Sequence, residues 1–428
     1  MYTCSEPVYA LATAFSPSAL AVIRASGDGV LSLFAPCFEG SLKGRVCHGF
    51  VTGGGKRLDE VVVVTYGKGH GYTSEEAFEI MCHGSLPVIR AISRTLEKAG
   101  FRQALPGEFT YRAFMHGRMD LTEAEAVEEL VSSRSERASS DALSRLTGSI
   151  RQEAEDIKDR ILDILASVEV QLDYGEDEVP EEWVFPSQEV TSIKERLEAI
   201  AATYASSRLY SEGAVVVLAG RANAGKSSLY NALLKEERAI VSPLAGTTRD
   251  YIETEAVIGG IPVRLFDTAG LREGSEEIEK EGIRRTRALM DKADLVVYVL
   301  DGDEEAGEED GATLYVRSKR DLTGSQEKLS FSSLTGEGLG EVLKAIAERL
   351  SEKAGPSSSV PRIDSERQRD KLLETAEALG EAEKAVDAGM DIVAMYLQAA
   401  LGALSELVGQ VTGEDVLDRL FSSFCLGK

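Results

Sequence analysis

The stretch Gly220-Arg221-Ala222-Asn223-Ala224-Gly225-Lys226-Ser227 constrains this chain more than any other. It follows an apolar run at 214–218 and precedes a helical pattern at 228–234, the strand–loop–helix setting that a G-x-x-x-x-G-K-S phosphate loop requires. Its two glycines let the backbone curl so that successive N–H groups, together with a helix N-terminus, face an anionic phosphate. Lys226 is placed to neutralise β- and γ-phosphate oxygens and Ser227 to ligate Mg²⁺, with Ala224, Gly225 and Ser228 lining the same turn. A glycine-rich turn with an exposed lysine is the bland alternative, and three further elements in order argue against it.

The first is Ala245-Gly246-Thr247-Thr248-Arg249-Asp250, where the Thr248 hydroxyl can complete a Mg²⁺ shell. The second is Asp267-Thr268-Ala269-Gly270, directly after a strand pattern; Asp267 holds the metal, directly or through water, and the Gly270 amide senses the γ-phosphate. The third is Ser318-Lys319-Arg320-Asp321, standing where guanine-specific enzymes carry Asn-Lys-x-Asp. An aspartate there accepts two hydrogen bonds from guanine N1 and N2, a pair adenine cannot offer, so Asp321 selects GTP. Ser332-Ser333-Leu334 matches the loop whose amide meets guanine O6. Ser318 shortens the usual asparagine, which predicts weaker nucleotide binding with guanine preference kept.

Hydrolysis needs a group to orient water, and the glutamine of Ras-type switches is replaced here by Leu271. Glu273, Glu276, Glu277 and Glu279 all lie within reach in sequence, and spacing alone does not choose among them. Arg249, Arg272 or a monovalent cation near Asn223, whose carbonyl suits a hard ion, are the sources of positive charge.

At 428 residues the chain has room for about three domains. Short β-branched runs and glycine turns over 1–118 predict an α+β domain; strand–helix alternation over 211–352 predicts a doubly wound parallel sheet with strands at 214–218, 263–266, 295–299, 314–316 and 329–331. A single amphipathic helix is expected from Leu143 through Leu172, a second over 190–206, and helix again after a linker at 354–359, with Ile392, Tyr396, Ala400, Leu404 and Leu407 on one stripe. The economical arrangement is a discontinuous helical domain (119–210 and 353–428) with the α/β domain inserted.

The remaining composition excludes several classes. Hydrophobic residues at 43% rule out general disorder, and no uninterrupted apolar run reaches the ~18 residues of a membrane span. The opening residues lack a basic start and are broken by Ser16-Pro17-Ser18, so no signal peptide is expected. A net charge of −25 disfavours autonomous binding to phosphate backbones. Five cysteines without a Cys-x-x-Cys pair suit reduced thiols in a cytoplasm.

The flanks carry a more specific signal. Pro106-Gly107-Glu108-Phe109-Thr110-Tyr111-Arg112-Ala113-Phe114, then Gly117-Arg118-Met119-Asp120-Leu121 and Ala124-Glu125-Ala126-Val127, closely resemble the signature of the MnmE (TrmE) family of tRNA modification GTPases. The terminal Phe421-Ser422-Ser423-Phe424-Cys425-Leu426-Gly427-Lys428 is similar to that family's tail. The resemblance implies an N-terminal folate-binding and dimerisation domain, a discontinuous helical domain and an inserted Ras-like G domain. It implies a homodimer working with a FAD-dependent partner, MnmG, to place an aminomethyl-type group on C5 of the wobble uridine of certain tRNAs. A tetrahydrofolate derivative, in the 5-formyl or methylene form, supplies the carbon. Residue by residue it points to Arg24, Glu79, Arg118 (usually lysine) and Lys428 for folate, to Asn223, Ser242, Leu244 and Thr247 for K⁺, and to Glu279 for orienting water. Cys425 lies in the tail motif and is a candidate for chemistry or for packing. A ribosome-assembly or RNA-associated switch, and a folate-binding scaffold with a decayed GTPase, are the alternative readings; intact Lys226, Ser227, Thr248 and Asp267 oppose decay.

Overall fold

A computed structural model of the chain describes residues 2–173, 183–221, 223–236, 252–267, 289–290, 292–301, 304–308, 311–323, 329–354 and 360–427. Contacts divide it into two compact units, one of Met1–Glu128, Arg145–Lys194 and Lys371–Lys428, the other of Glu129–Ser144 and Glu195–Asp370.

The first unit is built on strands β1 (Val8–Leu11), β2 (Ser18–Ser26), β3 (Phe38–Glu39), β4 (Val46–Gly53), β5 (Lys56–Tyr66), β6 (Ala77–Gly84) and β7 (Arg102–Gln103), in the order β3-β4-β5-β6-β2-β1-β7. All neighbours are antiparallel except β1 and β7. Alternation decides the faces: Ala21, Ile23, Ala25, Val61, Val63, Phe78 and Ile80 point into a core. Helix Leu86–Lys98 covers it with Ile89, Ile92 and Leu96, and the Phe34 ring stacks on Phe78 at 4.4 Å between centroids. Gly54 and Gly55 make the β4–β5 turn at φ 60° and 75°, the left-handed region glycine adopts without strain.

Beside the sheet, helix Met390–Val408 runs along helix Ser149–Asp173. The buried stripe of Met390–Val408 is Val393, Leu397, Ala400, Leu404 and Leu407, so Ile392 and Tyr396 sit one position off the face expected for them. This helix is long and apolar enough to cross a membrane by composition, although Asp391 and Glu406 interrupt the run. Helix Glu414–Ser422 packs Phe421 against Tyr2, Tyr111 and Phe424, which fixes the path of the C-terminal tail.

The second unit holds β8 (Ala214–Gly220), β9 (Ile252–Ile258), β10 (Ile261–Asp267), β11 (Leu295–Leu300) and β12 (Thr313–Arg317), in the order β12-β11-β8-β10-β9. β8, β10, β11 and β12 are parallel, but β9 runs antiparallel to β10 through a two-glycine turn, so the sheet is mixed rather than wholly parallel. The strand expected at 329–331 shrinks to one bridge between Arg317 and Ser330. Helices Lys226–Glu236 and Leu339–Ala354 pack on the sheet, and Ala138, Leu209 and Tyr210 join its core.

The single helix expected from Leu143 to Leu172 is two, Glu136–Leu146 and Ser149–Asp173, separated at Gly148 (φ 91°). Leu143 and Leu172 are exposed, because the apolar spacing ran through two helices that belong to different units.

Candidate functional site

The phosphate loop stands at the C-terminal end of β8, the edge of a parallel sheet where ligands of such folds gather. Gly220 (φ 136°) is required because a side chain there would run into the Val299 carbonyl of β11, and Gly225 turns at φ 98°. Asn223 takes the left-handed conformation at φ 62°, which asparagine tolerates better than most residues, and is exposed. Lys226 opens the following helix, is 5% exposed, and donates to the Gly220 and Arg221 carbonyls at 3.1 and 2.8 Å. The Ser227 hydroxyl donates to Asp267 Oδ2 at 2.6 Å, and Asp267 ends β10 almost fully buried. Two oxygens from separate elements thus meet at one point, a donor set suited to a hard cation.

At the same end of the sheet, Ser318 is buried against Gly225 and donates through its N–H and hydroxyl to the Leu300 carbonyl at 3.1 and 3.3 Å. Lys319 adopts φ 57° and its ammonium pairs with Asp301 at 2.7 Å. Asp321 lies exposed in the short helix Arg320–Thr323. The Ser332 hydroxyl, fully buried, accepts the Leu334 and Thr335 N–H groups at 3.3 and 3.2 Å and shapes the turn that carries exposed Ser333 and Leu334. An Arg320 N–H to Phe331 carbonyl bond ties this turn to the Asp321 segment. Ala222, Ser242, Leu244, Thr247, Thr248, Arg249, Thr268, Ala269, Gly270, Leu271, Arg272, Glu273, Glu276, Glu277, Glu279 and Lys428 lie outside the described residues.

A second cluster forms on the seven-stranded sheet, where β2 and β6 pair Arg24 directly opposite Glu79. Their ion pair measures 3.0 Å, Tyr66 donates to Glu79 Oε2 at 3.2 Å, and Arg24 also donates to the Gly427 carbonyl at 3.0 Å. The guanidinium lies 5.9 Å from the Tyr72 ring and 5.7 Å from Phe109, while its Nε is buried without a hydrogen-bond partner among the described residues. These residues line a cavity of about 90 Å³. Burial pushes the Tyr72 phenol up from its ordinary value, against its hydrogen bond with Thr110 and the charges of Arg24 and Arg118; Arg118 itself is exposed. Cys425 is free and exposed, not packed, and its carbonyl accepts the Gly107 N–H at 3.4 Å.

Family models match both flanks: one described as the GTP-binding protein TrmE N-terminus over residues 7–118, the other as the MnmE helical domain over residues 121–425. The tRNA modification GTPase MnmE of Treponema denticola is 37% identical over the whole of this chain and 99% of its own length. This chain belongs to the MnmE (TrmE) family of tRNA modification GTPases. The MnmE proteins of Aquifex aeolicus (36% identical, 99% of this chain and 100% of theirs) and of Thermus thermophilus (38% identical, 100% of both) are similar to the same extent.

Within the family's Pro106–Phe114 signature, sequence reasoning gave no role to Phe109, Glu108 or Arg112. Phe109 walls the Arg24 pocket. Arg112 is fully buried: it donates to Glu75 at 3.2 Å, to Glu108 at 3.0 Å, and to the Thr3 and Glu6 carbonyls at 2.9 and 2.8 Å. Glu75 in turn accepts from Ser26 at 2.6 Å, and Ser26 and Thr73 line the Arg24 pocket. Tyr66 and Tyr72 were missed because no motif contains them; a tyrosine in a strand or glycine-rich loop gives no sequence signal of its neighbours.

Proposed function

We propose that this GTPase, in concert with a FAD-dependent partner of the MnmG kind, adds an aminomethyl-type group to C5 of the wobble uridine (position 34) of certain tRNAs, drawing the carbon from a tetrahydrofolate derivative. The observation that carries the reading is the Arg24–Glu79 pair, walled by Tyr72 and Phe109 and touched by the C-terminal tail, in a chain that also holds a phosphate loop. Carboxylate, guanidinium and flat aromatic walls are the groups a pterin ring and its polar edge call for, and the unpartnered Nε of Arg24 supplies a free donor. At about 90 Å³ the cavity is below the ~300–1,000 Å³ of whole-ligand pockets, so it receives one end of the folate; Arg118 and Lys428 are the further folate contacts of this reading.

The domain reading that goes with this is 1–118 for folate and dimerisation, 119–210 with 353–428 for the discontinuous helical domain, and 211–352 for the G domain. The open sheet face around Leu20 (63% exposed), Val46 (66%) and Met81 (37%) supports homodimerisation through the first of these. Five free cysteines suit the reducing cytoplasm.

GTP sits with its phosphates on Asn223–Ser228 and its base between Asp321 and the Ser332–Leu334 turn, with Ser318 and Lys319 beneath. Lys226 exchanges its two carbonyl partners for phosphate oxygens. Ser227 and Asp267, already 2.6 Å apart, and Thr248 would hold Mg²⁺, which neutralises phosphate charge when bound. Asn223, Ser242, Leu244 and Thr247 would hold K⁺; exposed Asn223 presents a suitable oxygen. Glu279 would orient the attacking water and the Gly270 amide would sense the γ-phosphate, with Thr268 and Ala269 assigned to the same nucleotide site. Cys425 is exposed on the tail whose Gly427 carbonyl meets Arg24, which supports a part for its thiol in the folate chemistry.

Nucleoside mass spectrometry of tRNA from cells lacking the protein tests the reading: the modified wobble uridine disappears if it is right. An unchanged nucleoside profile, alongside normal GTP turnover, would leave a GTPase without this chemistry.

A further inference from the structure

A cavity of about 520 Å³ in the first unit takes no part in the sites above; it shares no residue with the Arg24 pocket and lies within the usual volume of small-molecule pockets. Helices Glu108–Met115, Ser149–Asp173 and Met390–Val408 wall it with Phe114, Leu404 and Val408. Two of its lining residues carry a buried oxygen with no hydrogen-bond partner among the described residues, Asp120 Oδ2 and Thr412 Oγ1. Native proteins rarely leave such atoms unmatched. Asp120 spends its other oxygen on capping helix Leu121–Ser132, accepting the Thr122 hydroxyl and the Glu123 N–H at 2.8 Å each. Burial raises its pKa, partly offset by the bonds from the Glu123 N–H and Thr122 and by the nearby Arg151, in keeping with a carboxyl that lacks a full set of donors.

The charges at the rim are unequal. Arg151 pairs with Glu155 at 2.9 Å, whereas among the described residues the Lys158 ammonium donates to the neutral Gln410 side chain at 3.2 Å. The cavity therefore offers a ring-sized apolar wall, two polar atoms wanting partners and a cation without an acidic counterpart among the described residues. A lipid tail would leave Asp120 and Thr412 unmatched, and a simple cation would meet Lys158. We propose that this cavity binds a nucleoside monophosphate: the base lies against Phe114 with its N–H edge toward Asp120 and Thr412, and the phosphate pairs with Lys158. The nucleotide is free or is an unstacked residue of an RNA; only the second source rests on the reading of the chain as acting on tRNA.

The test uses the full-length protein. Equilibrium dialysis with UMP and with uridine probes the free source; photo-crosslinking of a 4-thiouridine-substituted tRNA transcript, with mapping to peptides 111–120 or 404–412, probes the RNA source. Lys158→Ala and Asp120→Asn, the latter keeping a helix-capping residue, are each expected to weaken UMP or abolish the crosslink by about tenfold or more. In the parent UMP exceeds uridine, and in Lys158→Ala the two become equal. Denaturant unfolding of the first unit, unchanged from the parent in both variants, verifies that they fold. UMP binding alone assigns a free nucleotide, and crosslinking alone assigns an RNA residue. Absence of both, or binding indifferent to both substitutions, overturns the proposal. An unchanged wobble nucleoside in cells lacking the protein, with UMP still bound by the purified chain, would overturn the tRNA reading and leave the site.

Discussion

The phosphate loop and the Arg24 cluster solve opposite problems. In the loop, a buried cation is satisfied by backbone carbonyls of its own turn, so Gly220, Arg221 and Lys226 lie within a few residues of one another. In the cluster, a guanidinium is held by Glu79 across a strand pair, by aromatic rings from a loop and a helix, and by the Gly427 carbonyl from the far end of the chain. In the first site the lysine is held by backbone geometry within its own turn; the second exists only if the whole first unit is folded around it. Local sites survive distant damage, and assembled ones should not.

The sharpest break between the two comes from Glu279→Ala. Turnover of GTP should fall beyond about a thousandfold, while GTP binding and folate binding both persist. Single-turnover hydrolysis with a parallel nucleotide-retention assay measures it, and normal hydrolysis would remove Glu279 from the mechanism.

Arg112→Leu attacks the assembled site from beneath. It leaves buried Glu75 without a cation and takes one of Glu108's two arginines, and losing one partner of a buried ion pair typically costs ~3–5 kcal/mol. Denaturant unfolding followed by probes in each unit should show the first unit weakened and GTP binding retained. Equal loss in both would mean that the two sites are not independent in the way their construction suggests.

Arg24→Gln removes the charge and keeps much of the length. Folate affinity should drop by about tenfold or more, with GTP hydrolysis rates unchanged in isolation. Asp321→Ala is the counterpart in the other region: the preference for GTP over ATP should shrink by about tenfold, since two hydrogen bonds to the guanine edge are lost, and folate binding should not move.

The smallest effect is a pH dependence. Burial pushes the Glu108 carboxyl up, but Arg102, the Leu105 N–H and Arg112 outweigh it and hold it below its ordinary value of 4.5. A carboxylate depressed in the folded state stabilises above its unfolded value and loses that contribution as pH falls through the folded one. The first unit should therefore weaken below pH 4.5, and Arg112→Leu should flatten that slope. Thermal unfolding from about pH 6 to about pH 3, read in both units, checks it.

Much of the second unit was legible in the chain. Near-continuous apolar runs mark β8, β10 and β11, and glycine spacing marks the loop, because strand burial and tight turns impose rules on neighbouring residues. The antiparallel β9 was not, since Glu253, Thr254 and Glu255 on an edge strand break the apolar pattern. The join at Gly148 was hidden by a helical period that continued across it. Register errors of one position, as with Ile392 and Val393, arise because several apolar faces fit one helix until a neighbour selects among them.

The sequence by itself determined the phosphate loop, the Ser318-Lys319-Arg320-Asp321 segment and the family signature, all of which depend on residues adjacent along the backbone. The tertiary structure decided that Arg24 faces Glu79, that the tail returns to Arg24, and that Asp120 and Thr412 share one cavity. The physical reason is range: backbone sterics and capping act over a few residues and leave a pattern, whereas charge pairing and cavity lining depend on which surfaces the core brings together.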